Sequence, residues 1–392
     1  MDVIFLSRKY CQGEAWCNRL LAYAKGFQSH GVDVKLLFLA SDEHQSATMQ
    51  ELGGLDVLYI SELCSRDNVL KKVWVYSRAL FQARKHFKKN DVVITTDGGG
   101  LFLSLLWHLK HKCYTFSEIT EHPFVLGGSI GTKGVSGIIK RAINRMQVFV
   151  HNILIKRNTG IFAISDSLCG YFSAHGVSRD KLCKINMFVD AERFELDKES
   201  AEPYVAYCGT ISHGKDGVDI LLKAFSIFRK DAPNFKLYLI GRFLDQQTQD
   251  SIENLIGELH LSGSVILTGK VSPLQMPRLL KNASILALSR PDNLQNRNGF
   301  PTKLGEYLAT GNPVVVTSVG EIPKFLQDGH NAFLAAPDDV QSFADALRRV
   351  TADYDRASEI GRRGRQLAMR SFSSEDQTKI ALDFIRSKIS SK

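Results

Sequence analysis

The sequence predicts an α/β protein with two doubly wound domains, each built on a parallel β-sheet that carries helices on both faces. Its 392 residues, of which 44% are hydrophobic, suffice for more than one core, and chains beyond roughly 250–300 residues usually divide into domains. Short apolar segments alternate with longer amphipathic ones, and this alternation begins again near residue 203. Because parallel strands need long crossover connections, the alternation indicates two parallel sheets. We expect the two domains to face each other across a cleft, with ligands at the carboxyl ends of the strands.

The first half contains segments of apolar and β-branched residues that have the length and bounds typical of strands. These segments are Val3–Ser7, Val32–Leu39, Asp56–Ile60, Val92–Thr96, Cys113–Ser117 and Gly160–Ser165. Between and after them, apolar residues recur at helical spacing. The predicted helices are Glu14–His30, Asp67–Lys89, Leu101–His111, Gly134–Arg157 and Asp166–His175. This order predicts one doubly wound domain over residues 1–190.

A polar stretch follows, in which charged side chains are frequent and no strand pattern occurs, and we assign residues 191–202 to a linker. Beyond it the alternation resumes. The predicted strands are Tyr204–Cys208, Lys236–Ile240, Val265–Leu267, Ile285–Leu288, Val314–Thr317 and Ala332–Leu334. The predicted helices are Val218–Lys230, Asp245–His260, Gln275–Asn282, Thr302–Thr310 and Val340–Tyr354. The second domain therefore covers residues 203–370, and residues 371–392 form a helix after a polar break at Ser371–Ser374.

The cysteines and the apolar runs indicate a cytoplasmic protein. The seven Cys residues are an odd number and include no Cys-x-x-Cys pair, so we interpret them as core thiols in a reducing compartment. A strand at Val3–Leu6 opens the sequence, without the charged and apolar regions of a signal peptide. No apolar run approaches the ~18 residues of a membrane-spanning helix.

The positive charge is concentrated in one region. The formal net charge is +9, yet residues 66–157 alone hold 16 Lys and Arg residues against five Asp and Glu residues. This region carries more than the whole excess, so we expect a surface that faces anions. Nucleic acid is excluded as a partner, because no module that combines aromatic and basic residues for base recognition occurs.

Residues 298–317 contain the most informative motif in the chain. Gly299 and Pro301 favour a bend, and an amphipathic helix follows at residues 302–310. Gly311 is placed to end that helix, and Pro313 opens an apolar, β-branched strand. The motif thus predicts a turn, a helix and a buried strand in twenty residues.

Lys303 and Glu306 are expected to project near the start of this helix, where free N–H groups and the positive end of the helix dipole attract anions. A cation for phosphate and a carboxylate that accepts two ribose hydroxyls suit a nucleotide diphosphate. The alternative is that Glu306 is a solvated helix residue. The residues predicted to bind the nucleotide donor here are Asn298, Gly299, Phe300, Thr302, Lys303, Leu304 and Glu306.

The same run resembles the donor-site motif of the retaining glycosyltransferases of family four, also known as group 1, which have the GT-B fold of two Rossmann-like domains. That motif has two Glu residues eight positions apart, followed by Gly-x-Pro-Val. Here Glu306 is the second Glu, the segment 311–314 follows in place, and Asn298 occupies the first acidic position. The resemblance implies that Glu306 binds ribose and that residue 298 contacts the transferred sugar, so the amide implies altered sugar contacts. It also implies that the last helix packs against the first domain.

Residues 208–217 follow the first strand of the second domain and have the composition of a phosphate loop. Gly209 lets the backbone approach a ligand, and Lys215 supplies a point charge for a diphosphate. The resemblance agrees, since the family has a Lys at the start of this helix. The family often has an Arg after the first Gly, where this chain has Thr210. The alternative is that Lys215 is a surface lysine near a helix end.

A second cation is expected from Lys303 or from Arg290, which follows a strand. The guanidinium of Arg290 can bind an oxyanion through two N–H groups, but it can equally pair with the nearby Asp292. Both interpretations stand on the sequence alone.

Three residues of the first domain are candidates for contacts with the substrates. Gly13 lies where the family has a Gly-rich loop, and Glu121 and His122 follow a central strand in a charged turn. The resemblance implies that Glu121 or His122 contacts the acceptor or the donor sugar. The alternatives are a plain turn at Gly13, a capping role for Glu121 and a solvated His122.

Residues 134–157 predict a basic amphipathic helix. Lys140, Arg141 and Arg145 lie beside a stripe of apolar residues at helical spacing. Such a helix can lie in the headgroup region of an anionic membrane. The alternative is a domain helix whose apolar face belongs to the core.

These features and the resemblance together predict a retaining, metal-independent glycosyltransferase. It would move a sugar from a nucleotide-diphosphate sugar to a glycan acceptor, lipid-linked, in cell-surface polysaccharide assembly. The predicted catalytic residues are Lys215, Arg290, His122 and Glu121, and Gly13, Gly209 and Thr210 join the donor-binding set. Cations and a helix end bind the diphosphate in this interpretation, so we expect no metal ion and no other cofactor. Localisation is expected in the cytoplasm, on the inner face of the plasma membrane. The alternatives are a nucleotide-sugar epimerase or phosphorylase of the same fold, and a noncatalytic subunit that binds the sugar nucleotide.

Overall fold

The computed structural model describes residues 2–8, 10, 15–39, 52, 54–60, 69–96, 112–126, 134–199 and 202–390. The chain divides into two compact units. The first is Met1–Asn186 with Ser374–Lys392, and the second is Met187–Ser373. Each unit has one parallel sheet, and among the described residues helices connect most of the successive strands, which confirms the predicted α/β class with two doubly wound, Rossmann-like domains.

Within the described residues, the first sheet has seven parallel strands in the order β3-β2-β1-β4-β5-β6-β7. The strands are β1 (Asp2–Ser7), β2 (Asp33–Phe38), β3 (Asp56–Tyr59), β4 (Val92–Thr95), β5 (Tyr114–Ile119), β6 (Gly160–Ala163) and β7 (Leu182–Lys184). The first six coincide with predicted segments. Strand β7 was not predicted, because three half-buried residues are too short for a periodic pattern.

The described part of the chain contains five α-helices before residue 186, and all belong to the first unit. They are α1 (Ala15–Ser29), α2 (Val69–Ala83), α3 (Pro123–Leu126), α4 (Gly134–Ile155) and α5 (Asp166–Ala174). The predicted helix Leu101–His111 lies outside the described residues. Ser165 caps α5 by accepting the N–H of Leu168, which satisfies a donor that the helix leaves free.

In the second unit, the described strands form a parallel sheet in the order β10-β9-β8-β11-β12-β13. The strands are β8 (Tyr204–Cys208), β9 (Lys236–Ile240), β10 (Val265–Gly269), β11 (Ile285–Leu288), β12 (Val314–Thr317) and β13 (Phe333–Ala335). Residues of β11 and β12 are buried throughout, as expected for central strands covered on both faces.

The second unit has both long and short helices around this sheet. They are α6 (His213–Asp216), α7 (Val218–Phe228), α8 (Gln246–Glu258), α9 (Gln275–Asn282), α10 (Leu294–Asn298), α11 (Thr302–Thr310), α12 (Ile322–Phe325), α13 (Val340–Ala352) and α14 (Tyr354–Ser371). The predicted stop at Gly311 is confirmed, since this glycine has a φ of +77° directly after α11. The predicted polar break is the gap between α14 and the next helix.

The last helix, α15 (Ser374–Ser390), belongs to the first unit and packs against α1. Gly26 of α1 makes this contact close, because a Cβ at this position would meet the side chain of Thr378. The ring of Phe384 packs edge-on against Phe116 of β5. The C-terminal residues thus complete the core of the first unit.

No helix in the described part of the chain is both long enough and apolar enough to span a membrane.

Candidate functional site

The candidate site lies at the switch point of the second sheet, between β8 and its neighbour β11. In doubly wound sheets, ligands bind where the strand order reverses, at the carboxyl ends of the strands. The segment after β8 and the segment after β11 leave the sheet at this edge. The hydroxyl of Ser289 donates to the carbonyl oxygen of Gly217 at 2.8 Å and so joins the two segments.

Two glycines bring the backbone of this edge close together. Gly209 has a φ of +154° and Gly241 a φ of +142°, which residues with a side chain rarely adopt. A Cβ at Gly241 would overlap the carbonyl oxygen of Gly209, and a Cβ at Gly209 would overlap the ammonium group of Lys303. The predicted phosphate loop therefore presents bare backbone at Gly209, with the Lys303 cation against it.

Lys303 extends from the first turn of α11 across the end of β8. Its Nζ lies 2.5 Å from Oδ2 of Asp216 and 3.3 Å from the hydroxyl oxygen of Tyr207. The side chain is 16% exposed, so it keeps limited contact with solvent at this edge. The structure thus brings the predicted phosphate cation together with the predicted phosphate loop.

Arg290 lies on the other side of the same carboxylate. Its guanidinium is buried, with Nε 3.6 Å from Oδ1 of Asp216, and Nε donates to the carbonyl oxygen of Lys215 at 3.4 Å. The alternative pairing with Asp292 is wrong, because Asp292 accepts two N–H groups of Arg297 instead. Arg290 therefore contributes a buried positive charge behind the loop.

Asp216 links these two cations and was not singled out by the sequence. Burial by itself raises the pKa of Asp216, but the charges of Lys303 and Arg290 outweigh it and lower that pKa below its ordinary value. The carboxylate is thus ionised at neutral pH. In the sequence, only its position beside Lys215 in a charged turn could have indicated that Asp216 belongs to the site.

The side chain of Lys215 is exposed, and neighbouring amides hold its backbone in place. Nδ2 of Asn296 donates to the Lys215 carbonyl oxygen at 3.0 Å, and Nδ2 of Asn293 donates to that of Gly214 at 2.6 Å. The carbonyl oxygen of Thr210 accepts the hydroxyl of Tyr207 at 2.7 Å. Asn296 is buried in α10 and is a positioning residue that the sequence pattern did not reveal.

Glu306 lies one turn beyond Lys303 on α11. Its carboxylate is 23% exposed, and Oε1 accepts a hydrogen bond of 3.2 Å from Nη1 of Arg193. Burial raises the pKa of Glu306, an effect that the charges of Arg193 and Lys303 oppose. The interpretation of Glu306 as a solvated residue is wrong for this half-buried, paired carboxylate. Arg193 was missed, since it lies in the stretch interpreted as a linker.

Three predicted donor residues are buried or support the helix. Leu304 is fully buried and Phe300 packs against Phe325 and Phe372, so neither side chain reaches a ligand at the surface. Both side chains anchor α11 in the core, and the assignment of these two residues to the donor site stays a prediction. Thr302 is half-buried at the start of the helix.

Asn298, at the predicted sugar-contacting position, is buried at the end of α10. Its Nδ2 donates to the carbonyl oxygen of Leu294 at 2.8 Å. A carboxylate has no such donor, so the amide fits the hydrogen-bonding environment of this position. Gly299 follows it as the C-cap with extended backbone.

The candidates of the first unit lie after β5. His122 is buried, contrary to its interpretation as solvated, and its ring packs edge-on against Tyr171 with the ring centroids 4.3 Å apart. The N–H of Phe124 donates to Nδ1 at 3.2 Å, so the neutral ring carries its proton on Nε2. Burial and, secondarily, His175 lower the pKa of His122. Glu121 is half-buried beside it, and Gly13 lies outside the described residues.

The predicted basic amphipathic helix is α4, and part of its apolar stripe faces solvent. The exposed apolar side chains include Met146 at 63% and Phe149 at 66%, with Ile143, Val150 and Ile153 less exposed. The helix turns Asn144 and His151 inward instead. The interpretation of that stripe as core is therefore wrong for these residues.

Helix α2 presents a similar mixture of exposed aromatic and basic side chains. Trp74 is 60% exposed and lies under the guanidinium of Arg78, at 5.4 Å from the ring centroid. Phe81 is 66% exposed and lies under that of Arg84, at 5.5 Å. Both helices thus combine exposed apolar groups with the positive charge of this region.

Among the described residues, no group of three or more His, Cys, Asp and Glu side chains is arranged to hold a metal ion.

Two Rossmann-like units, with a basic and carboxylate-bearing site at the switch point of the second, define the GT-B class. Residues 188–367 match the family described as Glycosyl transferases group 1. The match lies within the second unit and confirms the resemblance that the motif around Glu306 predicts.

Curated proteins and solved structures of the same class resemble the chain. A capsular polysaccharide biosynthesis glycosyltransferase, CapM of Staphylococcus aureus, is 22% identical over 315 residues, which are 73% of this chain and 80% of that protein. A lipopolysaccharide core biosynthesis glycosyltransferase, LpsE of Rhizobium meliloti, is 27% identical over 200 residues, 51% of this chain and 54% of that protein. The crystal structure of Anabaena HepE in complex with UDP aligns with a TM-score of 0.74 at 16% identity, covering 99% and 100% of the two chains. This last likeness concerns the fold.

Proposed function

We propose that the protein is a retaining glycosyltransferase that moves a sugar from a nucleotide-diphosphate sugar to a carbohydrate acceptor, lipid-linked, in the assembly of a cell-surface polysaccharide. The arrangement of Lys303, Lys215 and Glu306 at one sheet edge carries this proposal. It offers an exposed and a half-buried cation for a diphosphate and a half-buried carboxylate for a ribose, on one helix and the adjacent loop. The relatives CapM and LpsE, which act in capsular polysaccharide and lipopolysaccharide core biosynthesis, support the polysaccharide context.

In the proposed reaction, the bond between the sugar and the diphosphate breaks and negative charge accumulates on the leaving diphosphate. Lys303 and Lys215 stabilise this charge directly, and the buried charge of Arg290 adds to the local positive potential. Glu306 accepts the two ribose hydroxyls and so fixes the nucleotide in register with these cations. The residues present supply the positive charge, so we propose that transfer requires no metal ion.

The sugar is proposed to leave with retention of its anomeric configuration. A leaving phosphate oxygen accepts the proton of the acceptor hydroxyl on the same face, while that hydroxyl oxygen forms the new bond to the anomeric carbon. His122 and Glu121 are proposed to contact the acceptor or the donor sugar. The neutral state of His122 suits hydrogen bonding to hydroxyl groups rather than to an anion.

We further propose that α4 and α2 bring the enzyme to an anionic membrane that carries its acceptor. Exposed aromatic and aliphatic groups enter the interfacial region of a bilayer, and adjacent Arg side chains contact lipid phosphates. The exposed Trp74, Phe81, Met146 and Phe149 and the basic Arg145 support this. Flotation with vesicles of phosphatidylcholine and phosphatidylglycerol tests it. Absence of binding at low salt would remove the membrane from the proposal without affecting the transfer reaction.

The transfer reaction is tested in two stages. A screen of UDP-, GDP- and dTDP-sugars by thermal shift identifies the donor, because a ligand that binds only the native state raises the melting temperature. The donor is then incubated with glycan and lipid-linked glycan fractions, with and without EDTA, and the anomeric configuration of the product is determined by NMR. Absence of transfer to every carbohydrate acceptor would contradict the proposal, and loss of transfer in EDTA would contradict its metal independence.

Incubation with the donor alone, or with a glycan and inorganic phosphate, separates the alternative functions. A nucleotide-sugar epimerase changes the donor when incubated with it alone, and a phosphorylase cleaves a glycan with inorganic phosphate. A noncatalytic subunit binds the donor without converting it. We expect slow hydrolysis at most from the donor alone, and product only when an acceptor is present.

A further inference from the structure

Asp216 is a buried carboxylate inside the basic cluster of the second unit. The side chain is 1% exposed, and it faces two cations and one hydroxyl. Oδ2 lies 2.5 Å from Nζ of Lys303 and 2.8 Å from the hydroxyl oxygen of Tyr207, while Oδ1 lies 3.6 Å from Nε of Arg290. The single hydroxyl proton of Tyr207 is shared between this carboxylate and the carbonyl oxygen of Thr210 at 2.7 Å. A site for an anion therefore contains a negative charge of its own.

We propose that Asp216 is a positioning residue that fixes Lys303 for the donor diphosphate and, through its own negative charge, keeps the nucleoside diphosphate from binding too tightly. This inference rests on the proposed function, because it assumes that a diphosphate binds at Lys303.

The positioning part follows from the geometry of the lysine. A lysine stem of four carbons is flexible, and its ammonium group has three N–H donors. Asp216 and Tyr207 each engage the ammonium group of Lys303, which lies against the bare backbone of Gly209. Two donors are thereby engaged, and in our proposal the third binds the diphosphate. Without the acceptor at residue 216, the stem is free to turn into solvent.

The second part follows from the charge. A diphosphate bound to the outer side of Lys303 has the carboxylate of Asp216 on the inner side of the same ammonium group. Like charges in a poorly solvated site repel each other more strongly than in water. Because product release requires the nucleoside diphosphate to leave, this repulsion favours turnover over tight product binding.

Asp216→Asn separates these two effects, since the amide keeps an acceptor oxygen for Lys303 but removes the charge. We expect UDP, or whichever of GDP and dTDP the wild type prefers, to bind about tenfold more tightly, a change of about 1.4 kcal/mol. Inorganic pyrophosphate should gain similarly, and kcat should fall as product release slows. Asp216→Ala, which also removes the acceptor, should gain less affinity than Asp216→Asn.

Isothermal titration calorimetry with these probes and steady-state kinetics are the measurements. A purely structural role predicts a lower melting temperature with unchanged or weaker binding, and that result would overturn the inference. Asp231→Asn is the matched control, because Asp231 forms an exposed ion pair with Arg348 at 2.6 Å beyond α7, and it should leave the affinity unchanged.

Asp216→Glu provides an arm that retains the charge if Asp216→Asn does not fold. The longer side chain moves the carboxylate toward the anion, so UDP should bind about threefold more weakly. Unchanged or tighter binding by this variant would overturn the inference. Binding of no nucleoside diphosphate by the wild type would instead overturn the proposed function, and the inference with it.

Discussion

Nη1 of Arg193 lies 3.2 Å from Oε1 of Glu306, and this ion pair joins the single helical turn at residues 191–194 to α11. Glu306 has lost much of its contact with water, so burial raises the pKa of its carboxyl group. Arg193 opposes that effect and favours the ionised form. Protonation would turn one carboxyl oxygen into a donor, so the pair favours the acceptor-only state that the proposed recognition of ribose would use.

Replacing Glu306 by Gln tests whether this carboxylate recognises the donor. Hydrogen bonds to charged acceptors are roughly twice as strong as neutral ones, so we expect about a tenfold loss of affinity for the nucleotide donor. Calorimetry with the donor measures this, and circular dichroism checks the fold. Glu359→Gln, a change in an exposed ion pair with Arg362, is the control and should bind the donor normally. Normal donor binding by Glu306→Gln would refute the assignment.

Replacing Arg193 by Met should change the pH dependence of donor binding. Arg193 opposes the pKa rise that burial causes at Glu306, so the variant should have a still higher pKa at Glu306. Since donor binding needs the ionised carboxylate and is lost as the pH falls through this pKa, the loss should begin at a higher pH in Arg193→Met. Titration of donor affinity from pH 8.5 down to about pH 5 detects the displacement.

The pH dependence of the stability of Arg193→Met provides an independent test of the ion pair. A carboxyl group whose folded pKa lies above its unfolded pKa favours the folded state when protonated, and this contribution is lost as the pH rises through the folded pKa. In Arg193→Met, the free energy of unfolding should therefore fall more than in the wild type when the pH is raised. If the melting temperatures of the wild type and of Arg193→Met were equally insensitive to pH, the ion pair would not control the pKa of Glu306.

Much of the fold follows from hydrophobic pattern and turn chemistry. Buried strands such as Val314–Thr317 are continuous β-branched runs, and Gly311 needs a positive φ to end the preceding helix. These local signals do not depend on distant partners, so they are readable from the sequence. Strand β7 was not predicted because its three residues are in a strand only through their pairing with β6.

The site was predictable only where residues lie close together in the sequence. Lys303 and Glu306 share one helix, so their relative position follows from helical spacing. Asp216 meets Lys303 from 87 residues away, and Arg193 meets Glu306 from 113 residues away. Such pairs depend on the order of strands in the sheet, which one sequence does not reveal. For the same reason the sequence suggested the near neighbour Asp292 as the ion-pair partner of Arg290, whereas the structure places Asp216 beside its guanidinium.

Gly209→Ala should weaken donor binding by displacing Lys303. The added Cβ would occupy the place of the Lys303 ammonium group, and the φ of +154° is unfavourable for alanine. We expect at least about a tenfold loss of affinity for the nucleoside diphosphate, since one charge-assisted hydrogen bond is misplaced. Gly214→Ala is the control in the same loop, because a Cβ there meets no atom within 4 Å. Equal affinity of the two variants would argue against Lys303 as the phosphate ligand.

Asn298→Asp tests the role of the amide at the predicted sugar-contacting position. The substitution removes the Nδ2 donor that binds the Leu294 carbonyl oxygen at 2.8 Å and places a carboxylate against that oxygen. We expect the free energy of unfolding to fall by about 1–2 kcal/mol, because a buried acceptor loses its partner. If the amide also orients the transferred sugar, kcat should fall about tenfold, while UDP affinity stays within about twofold of the wild type because Lys303 and Glu306 are untouched.

Asn331→Asp provides the comparison for this last prediction. Asn331 is likewise buried in the second unit, and its Nδ2 donates to the carbonyl oxygen of Phe325 at 3.2 Å. The same chemical change should therefore lower the melting temperature without lowering kcat. Urea denaturation measures stability, and transfer assays at saturating donor measure kcat. A parallel fall of kcat in both variants would show that Asn298 acts through stability alone, whereas a fall confined to Asn298→Asp would support contact with the sugar.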